Sequence, residues 1–192
     1  MGDDSENERE LVERAKCDVQ AFGLLYDKSY TKIFNYILRR TGNVNVSQDL
    51  TSEVFYKALN NIGKFKWQGI PFSAWLYRIA TNEIANHYKK AKRNMLLNED
   101  IVTITELAGD SVEIEQEQAE TSLRKQQDLL SIHTIILKLP AQYQAAIALR
   151  YFEKKGLTEI AAILGKREGA VKSLLHRSLK KMRQIMEERE TI

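Results

Sequence analysis

The chain has 192 residues, 43% apolar and 29% charged, with a formal net charge of +3, a composition ordinary for a folded protein and unlike a disordered tail. No stretch approaches the ~18 to 20 continuous apolar residues that cross a bilayer, and the opening MGDDSENERE is acidic where a secretory signal is basic and then apolar, so a cytoplasmic location without membrane insertion is expected. The single cysteine, Cys17, excludes an internal disulfide, and His87, His133 and His176 lack metal-ligand spacing, so no metal site is expected.

The apolar pattern is helical nearly throughout, and β-branched runs and Asn-Gly or Asp-Gly hairpin signals are missing, which predicts an all-α fold. Asp18 is placed to cap a helix through DVQAFGLLYDKSYTKIFNYILRR, which buries Phe22, Leu25, Tyr26, Ile33, Phe34 and Ile37 and stops at Gly42. Ser47 is expected to open SQDLTSEVFYKALNNI, with Leu50, Val54, Phe55 and Leu59 on one stripe and Gly63 at its end. Pro71 suits the first turn of a third long helix running to about Lys92, because the N–H it lacks would be unpaired there anyway. Cys17 is expected to be a small packing residue.

From Asn94 to Leu123 the stripe disappears, and eight acidic residues stand with no Lys or Arg. Taking those eight negative charges out of the net +3 leaves the remainder at +11, the pattern of a chain whose ends seek polyanion while its middle avoids or imitates it. A plain solvated linker is the alternative. A second helical set follows: SIHTIILKL to Pro140, AQYQAAIALRYF to Gly156, TEIAAILG, and REGAVKSLLHRSLKKMRQIMEERE. The expected division is 8–93, 94–123 and 124–190, two small helical domains joined by an acidic linker. Each lobe is near the lower size limit for a core of its own, so docking onto a larger partner would help both.

In LTEIAAILGKREGAVKSLLHRSLKKMR, Thr158 is expected to cap a short helix, Gly165 to close it, and a longer helix to begin near Arg167. Small Ala161 allows a close crossing, and Val171, Leu175, Leu179 and Met182 form the predicted inward stripe, the arithmetic of a helix-turn-helix. The opposite face offers Arg167, Glu168, Lys172, Ser173, His176, Arg177, Lys180 and Lys181, with groups near the helix start placed for base edges and later cations for phosphates. An αα-hairpin with a solvated basic face is the alternative. GKREGAVKS imitates a phosphate loop, but its spacing is wrong and no strand precedes it.

In FKWQGIPFSAWLYRIATN, Phe72, Trp75, Leu76 and Ile79 share one apolar face and are read as core. Phe65 and Trp67 precede that helix in a loop with Lys64 and Lys66, and Tyr77 lies off the apolar face. A polar stripe of Arg78, Asn82, Asn86, Lys89 and Arg93 runs alongside. Cations at helical spacing beside an aromatic loop suit single-stranded nucleic acid, since charges track the backbone while rings stack on or pocket unpaired bases. Folding of Phe65 and Trp67 back into the small core is the alternative.

With both lobes in view, AFGLLYDKSYTKIFNYILRRTGNVNVSQDLTSEVFYKAL, FSAWLYRIATNEIANHYKKAKR and LPAQYQAAIALRYFEKKGLTEIAAILGKREGAVKSLLHRSLKKMR, in that order around the acidic linker, make the chain resemble a bacterial RNA polymerase sigma factor of the extracytoplasmic-function (ECF) group. The resemblance implies a specificity subunit that is no enzyme alone, needs no cofactor, and partners core RNA polymerase at its clamp and flap, promoter DNA and, often in this family, an anti-sigma factor. DLTSEVF would dock on the clamp through Asp49, Leu50, Glu53 and Val54. The loop from Asn61 to Ile70, with Lys64, Phe65, Lys66 and Trp67, would hold a flipped base of the minus-ten element. Tyr77, Arg78, Asn82, Lys89, Lys90 and Arg93 would guide the separated strand. Arg167, Glu168, Lys172, Ser173, His176, Arg177 and Lys180 would read the minus-thirty-five element as duplex.

A length check agrees, since elements ~25 base pairs apart lie roughly 85 Å apart and a 30-residue linker reaches at most ~100 Å. Three departures stand out: Asn86 replaces a usual aspartate, Ala170 a frequent threonine, and Leu174 a common arginine whose DNA contact would be absent. A free-standing helix-turn-helix repressor, dimerised through the first lobe, is the alternative; it would bind a palindrome without polymerase.

Overall fold

The computed structural model of the chain describes residues 3–67, 69–97 and 132–190, and all regular structure among them is helical. None of these helices is long and apolar enough to cross a membrane. The segment 98–131, which holds most of the acidic linker, lies outside the described residues.

The first lobe opens with a helix the apolar pattern did not announce, α1 (Asp3–Ala15). Among its residues whose burial is described, the buried ones are one short patch, Leu11, Val12 and Ala15, too brief to register as a repeating stripe. Cys17 lies in the turn that follows and is exposed, which corrects the packing role expected for it. In α2 (Val19–Thr41), Asp18 caps as expected, its Oδ1 accepting the Gln20 N–H at 2.9 Å. Gly42 ends the helix at φ 68, and a Cβ there would also meet Leu137 Cδ1 at 3.0 Å. Glycine therefore satisfies both the left-handed turn and the approach of the second lobe.

The next helix, α3 (Val44–Asn61), starts three residues earlier than Ser47. Gly42 turns the chain at once, so Asn43 already has the extended backbone of a cap, and its Oδ1 accepts the Val46 N–H at 3.0 Å. Ser47 is buried inside the helix instead, its hydroxyl donating to Asn43 O at 2.6 Å. Two residues expected in the core face outward: Tyr26 is 37% exposed and Leu59 40%. Tyr26 packs on Phe55 and Tyr30, with ring centroids 4.5 and 5.2 Å away, along the flank of the bundle. A 3-10 turn, Ile62–Lys64, follows α3. Directly after Pro71 comes α4 (Phe72–Leu97), whose Phe72, Leu76, Tyr77, Ala80 and Ile84 are buried.

In the second lobe, α5, described over 132–137, leads through Pro140 into α6 (Ala141–Ile147), which continues as a π turn over Ala148–Phe152. The helix-turn-helix is α7 (Leu157–Leu164) and α8 (Glu168–Glu190), with Gly165 at φ 60 between them. Thr158 is not the cap expected. The Gly156 N–H is bound by Glu159 Oε2 at 3.0 Å, while the Thr158 hydroxyl donates to Glu168 Oε1 at 2.6 Å and ties the two helices together. The inward stripe of α8 is Val171, Leu174, Leu175, Ser178 and Ile185, and Leu179 is 44% exposed. The four-residue step from Leu175 to Leu179 is replaced by Ser178, which inside a helix satisfies its own hydroxyl on Leu174 O at 2.7 Å and packs as a small residue.

The second lobe has a small core of its own around Ile135, Ile136, Leu139, Ile147 and Ile185. One apolar cluster runs from α1–α4 into α6, the π turn, α7 and α8, and includes Leu149 and Ile160, both fully buried. Burying one such side chain is worth about 1.5 to 3 kcal/mol. In this arrangement each lobe covers part of the other's apolar surface.

Candidate nucleic-acid interface

The aromatic loop is built on the 3-10 turn. The Phe65 N–H donates to Ile62 O at 3.0 Å, and Gly69, at φ 73, turns the chain back into Pro71. Phe65 is half-buried, its ring centroid 5.1 Å from Trp75, 5.6 Å from Phe72 and 6.5 Å from Trp67. Trp67 is also half-buried. Neither ring is lost in the core. A cleft of about 300 Å³ opens on one side of Phe65 and Trp75, with Lys64, Lys66 and Arg78 around it. A second, of about 460 Å³, shares Lys64, Phe65 and Trp75 with the first and is lined further by Asn61, Asn82 and the Lys57–Glu83 pair. Flat apolar walls with cations at the rim are what an unpaired base and its phosphate require.

Along α4, Arg78, Asn82, Asn86, Lys89, Lys90 and Arg93 are all exposed. The one carboxylate among them, Glu83, is engaged by Lys57 at 2.6 Å, and that hydrogen bond chiefly holds the Lys57 ammonium above its usual range. Tyr77 departs from the expectation. It is 1% exposed and faces the second lobe, where its hydroxyl donates to Glu153 Oε2 at 2.5 Å. Burial first, and then this bond, push the phenol well above the ordinary tyrosine range, so it stays a donor. Within its own lobe Tyr77 meets the Tyr36 ring edge-on at 5.1 Å, and only the second lobe supplies the carboxylate that its hydroxyl meets.

On α8, Arg167, Glu168, Lys172, Ser173, His176, Arg177 and Lys180 are all exposed, and Glu168 is oriented by Thr158. The Ser173 hydroxyl turns back onto Gly169 O at 3.1 Å, and Arg177 Nε onto Ser173 O at 3.3 Å. Leu174 is 3% exposed. The position belongs to the core of this lobe.

On α3, Asp49 is exposed, Leu50 is partly buried against the core, and Glu53 pairs with Lys57 at 3.0 Å. Val54 is fully buried and offers no surface to a partner, which corrects its place in the expected docking set. Tyr56, 64% exposed, and Leu59 stand on the outside of the same helix. Tyr56 has no signature in the sequence, because an isolated tyrosine outside the stripe carries no periodic signal.

A polar seam between the lobes has no signature in the sequence either. Arg39 Nη1 donates to Glu153 Oε1 at 2.9 Å beside the Tyr77 bond. Lys155 reaches Glu159 at 3.0 Å and Ser73 at 3.3 Å, and stands 5.5 Å from the Tyr77 ring centre. Arg40, 1% exposed, donates to Tyr36 at 2.9 Å and to Ala141 O at 3.2 Å, while its Nε finds no partner among the described residues.

Comparison with known proteins agrees with this arrangement. The sigma-70 region 2 family matches residues 25–94, and the sigma-70 region 4 family residues 129–182. The ECF RNA polymerase sigma factor BldN of Streptomyces coelicolor is 35% identical over 95% of this chain and 67% of its own length. The ECF RNA polymerase sigma factor SigW of Bacillus subtilis is 33% identical over 88% of this chain and 90% of its own. The fold is that of CnrH, solved with the cytosolic domain of CnrY, at a TM-score of 0.67 and 19% identity over 94% of this chain and 97% of that one. The sigma factor RpoE of Bartonella quintana, solved with the anti-sigma factor NepR, aligns at 0.68 and 20% identity over 86% and 96%. Two region matches in the expected order, with relatives along nearly the whole length, show that this chain belongs to the extracytoplasmic-function group of bacterial RNA polymerase sigma factors, promoter-specificity subunits that direct transcription initiation and have no catalytic residues of their own.

Proposed function

We propose a division of labour within this sigma factor. Residues 8–93 act as region 2 and residues 124–190 as region 4, with 94–123 as the acidic connection; the family matches support these bounds without coinciding with them. Phe65 and Trp67, with Lys64 and Lys66, hold an unpaired base of the minus-ten element, and the cations of α4 guide the strand. The residues from Arg167 to Lys180 read the minus-thirty-five element as duplex. Asp49 and Glu53, joined by exposed Tyr56, meet the polymerase clamp.

The observation that carries the reading is the half-buried Phe65 lining two clefts, one of them rimmed by Lys64, Lys66 and Arg78. A ring that only plugged a core would have no such space beside it. CnrH and RpoE are each described with a bound partner, which supports control of this chain by an anti-sigma factor.

The test is permanganate footprinting of a cognate promoter with core polymerase and the Trp67→Ala protein. Stacking is worth about 1 to 3 kcal/mol per base, so strand opening weakens while binding to minus-thirty-five duplex is unchanged. An unchanged footprint would rule out the stacking role.

A further inference from the structure

The helix with the basic outer face, α8, begins with a carboxylate set among cations. Glu168 stands between Arg167 and, one turn further on, Lys172, and all three are exposed. Glutamate four residues before lysine is the favoured order for an ion pair on a helix surface, and α3 makes that pair at 3.0 Å between Glu53 and Lys57. Glu168 and Lys172 do not make it. Among the described residues the carboxylate's partner is neutral, the Thr158 hydroxyl of α7, which donates to Oε1 at 2.6 Å. Oε2 is left open to solvent beside the basic face, and Lys172 is left for a phosphate.

The next residue is an independent sign of a close neighbour outside the chain. Gly169 lies in the first turn of α8 without a positive φ, and a Cβ built on it would meet nothing within 4 Å. Neither its backbone conformation nor packing within the chain asks for glycine, and glycine inside a helix is less stable than alanine. Ala170 beside it is also small and exposed. A helix start without bulk lets another body approach the backbone closely.

We propose that Glu168, held in place by Thr158, reads one cytosine of the minus-thirty-five element, its Oε2 accepting from the exocyclic N4 amino group in the major groove. This rests on the reading of the exposed α8 face as the surface for duplex DNA. Residues at the start of a recognition helix meet base edges, and a fixed acceptor with no donor beside it selects among them. Guanine and thymine present acceptors, which repel it. Adenine sets acceptor N7 next to its N6 amino group, whereas cytosine presents its N4 amino group alone. Thr158 is the positioning residue: a carboxylate free to swing to Lys172 would lose the base.

The experiment uses the full chain assembled with core polymerase and promoter duplexes that differ by one base pair at a time within the minus-thirty-five element, compared by competition binding. The parent prefers C·G at one position by about tenfold, within the range of a single specific contact. Glu168→Gln moves that preference to A·T, because an amide bonds adenine N6 and N7 together, and leaves the other positions unchanged. Thr158→Val keeps the shape, loses the hydroxyl and lowers the cytosine preference about threefold, the worth of a side chain left to be ordered on binding. A merely structural role for Thr158 would weaken every duplex alike. Lys172→Ala is the control, weakening every duplex evenly and lowering the log–log salt slope by about 0.9.

If Lys172→Ala behaves in this way and Glu168→Gln shifts no position, base reading by Glu168 is overturned and the duplex face stands. If Glu168→Gln moves the preference and Thr158→Val leaves it whole, the reader is supported and the positioning role is overturned. If neither Lys172→Ala nor Glu168→Gln changes binding to any duplex, the reading of α8 as the duplex face fails, and the proposal with it.

Discussion

Trp75 and Phe65 meet with ring centroids 5.1 Å apart and planes inclined at 47°, and together they form a wall shared by two clefts. Trp75 holds this wall from α4, and Phe65 from the loop. The loop ring is therefore positioned by a rigid helix, and cations from both elements converge on it.

Arg78 is the helix cation of that site, exposed at the rim of the first cleft. Arg78→Ala is expected to weaken single-strand binding evenly across sequences and to lower the log–log salt slope by about 0.7, the contribution of one phosphate contact on a single strand. Titration of an oligonucleotide at several salt concentrations checks it. An unaltered slope would show that Arg78 touches no phosphate.

Leu174 lies in the core of the helix-turn-helix lobe, 3% exposed. Leu174→Ala is expected to cost about 2 to 5 kcal/mol in urea unfolding. Leu174→Arg, which restores the residue frequent in the family, is expected to unfold this lobe because it buries an unpaired charge. A folded Leu174→Arg protein that binds duplex more tightly would contradict the placement.

Asn43 starts α3, and Thr158 does not start α7. Asn43→Ala is expected to lower stability by ~1 kcal/mol, the usual worth of a cap. Thr158→Ala removes only an exposed hydrogen bond and is expected to stay within about 0.5 kcal/mol. Denaturant midpoints of the two proteins separate the cases.

Tyr77 titrates above the ordinary tyrosine value of 10.0 in the folded chain, first through burial and then through its bond to Glu153. A folded pKa above the unfolded one means the native state holds the proton more tightly. The stability it contributes is therefore complete below about pH 10 and is lost as pH rises beyond it. Tyr77→Phe cannot ionise, so its unfolding midpoint is expected to fall less than the parent's above pH 10. Equal alkaline losses would mean that the phenol is not buried in the seam.

The sequence by itself determined the all-α class, the cap at Asp18, the stops at Gly42 and Gly165, the aromatic loop and the basic faces of the two long helices. Each is written in local chemistry: a 3.6-residue stripe, a side chain that bonds its own backbone, a residue free to take positive φ. Asn43 and Ser47 show the limit of that chemistry, since both can cap and only the turn at Gly42 chooses between them. Leu174, Leu179 and Ser178 show it again, because a helix face turns inward only where a neighbour covers it. The burial of Tyr77, Arg40 and Glu153 was decided by the tertiary structure alone. Although Arg40 also bonds Tyr36 four residues away, each of the three has a partner 76, 101 or 114 residues away in the chain, and no local rule says which polar side chain a distant lobe will meet.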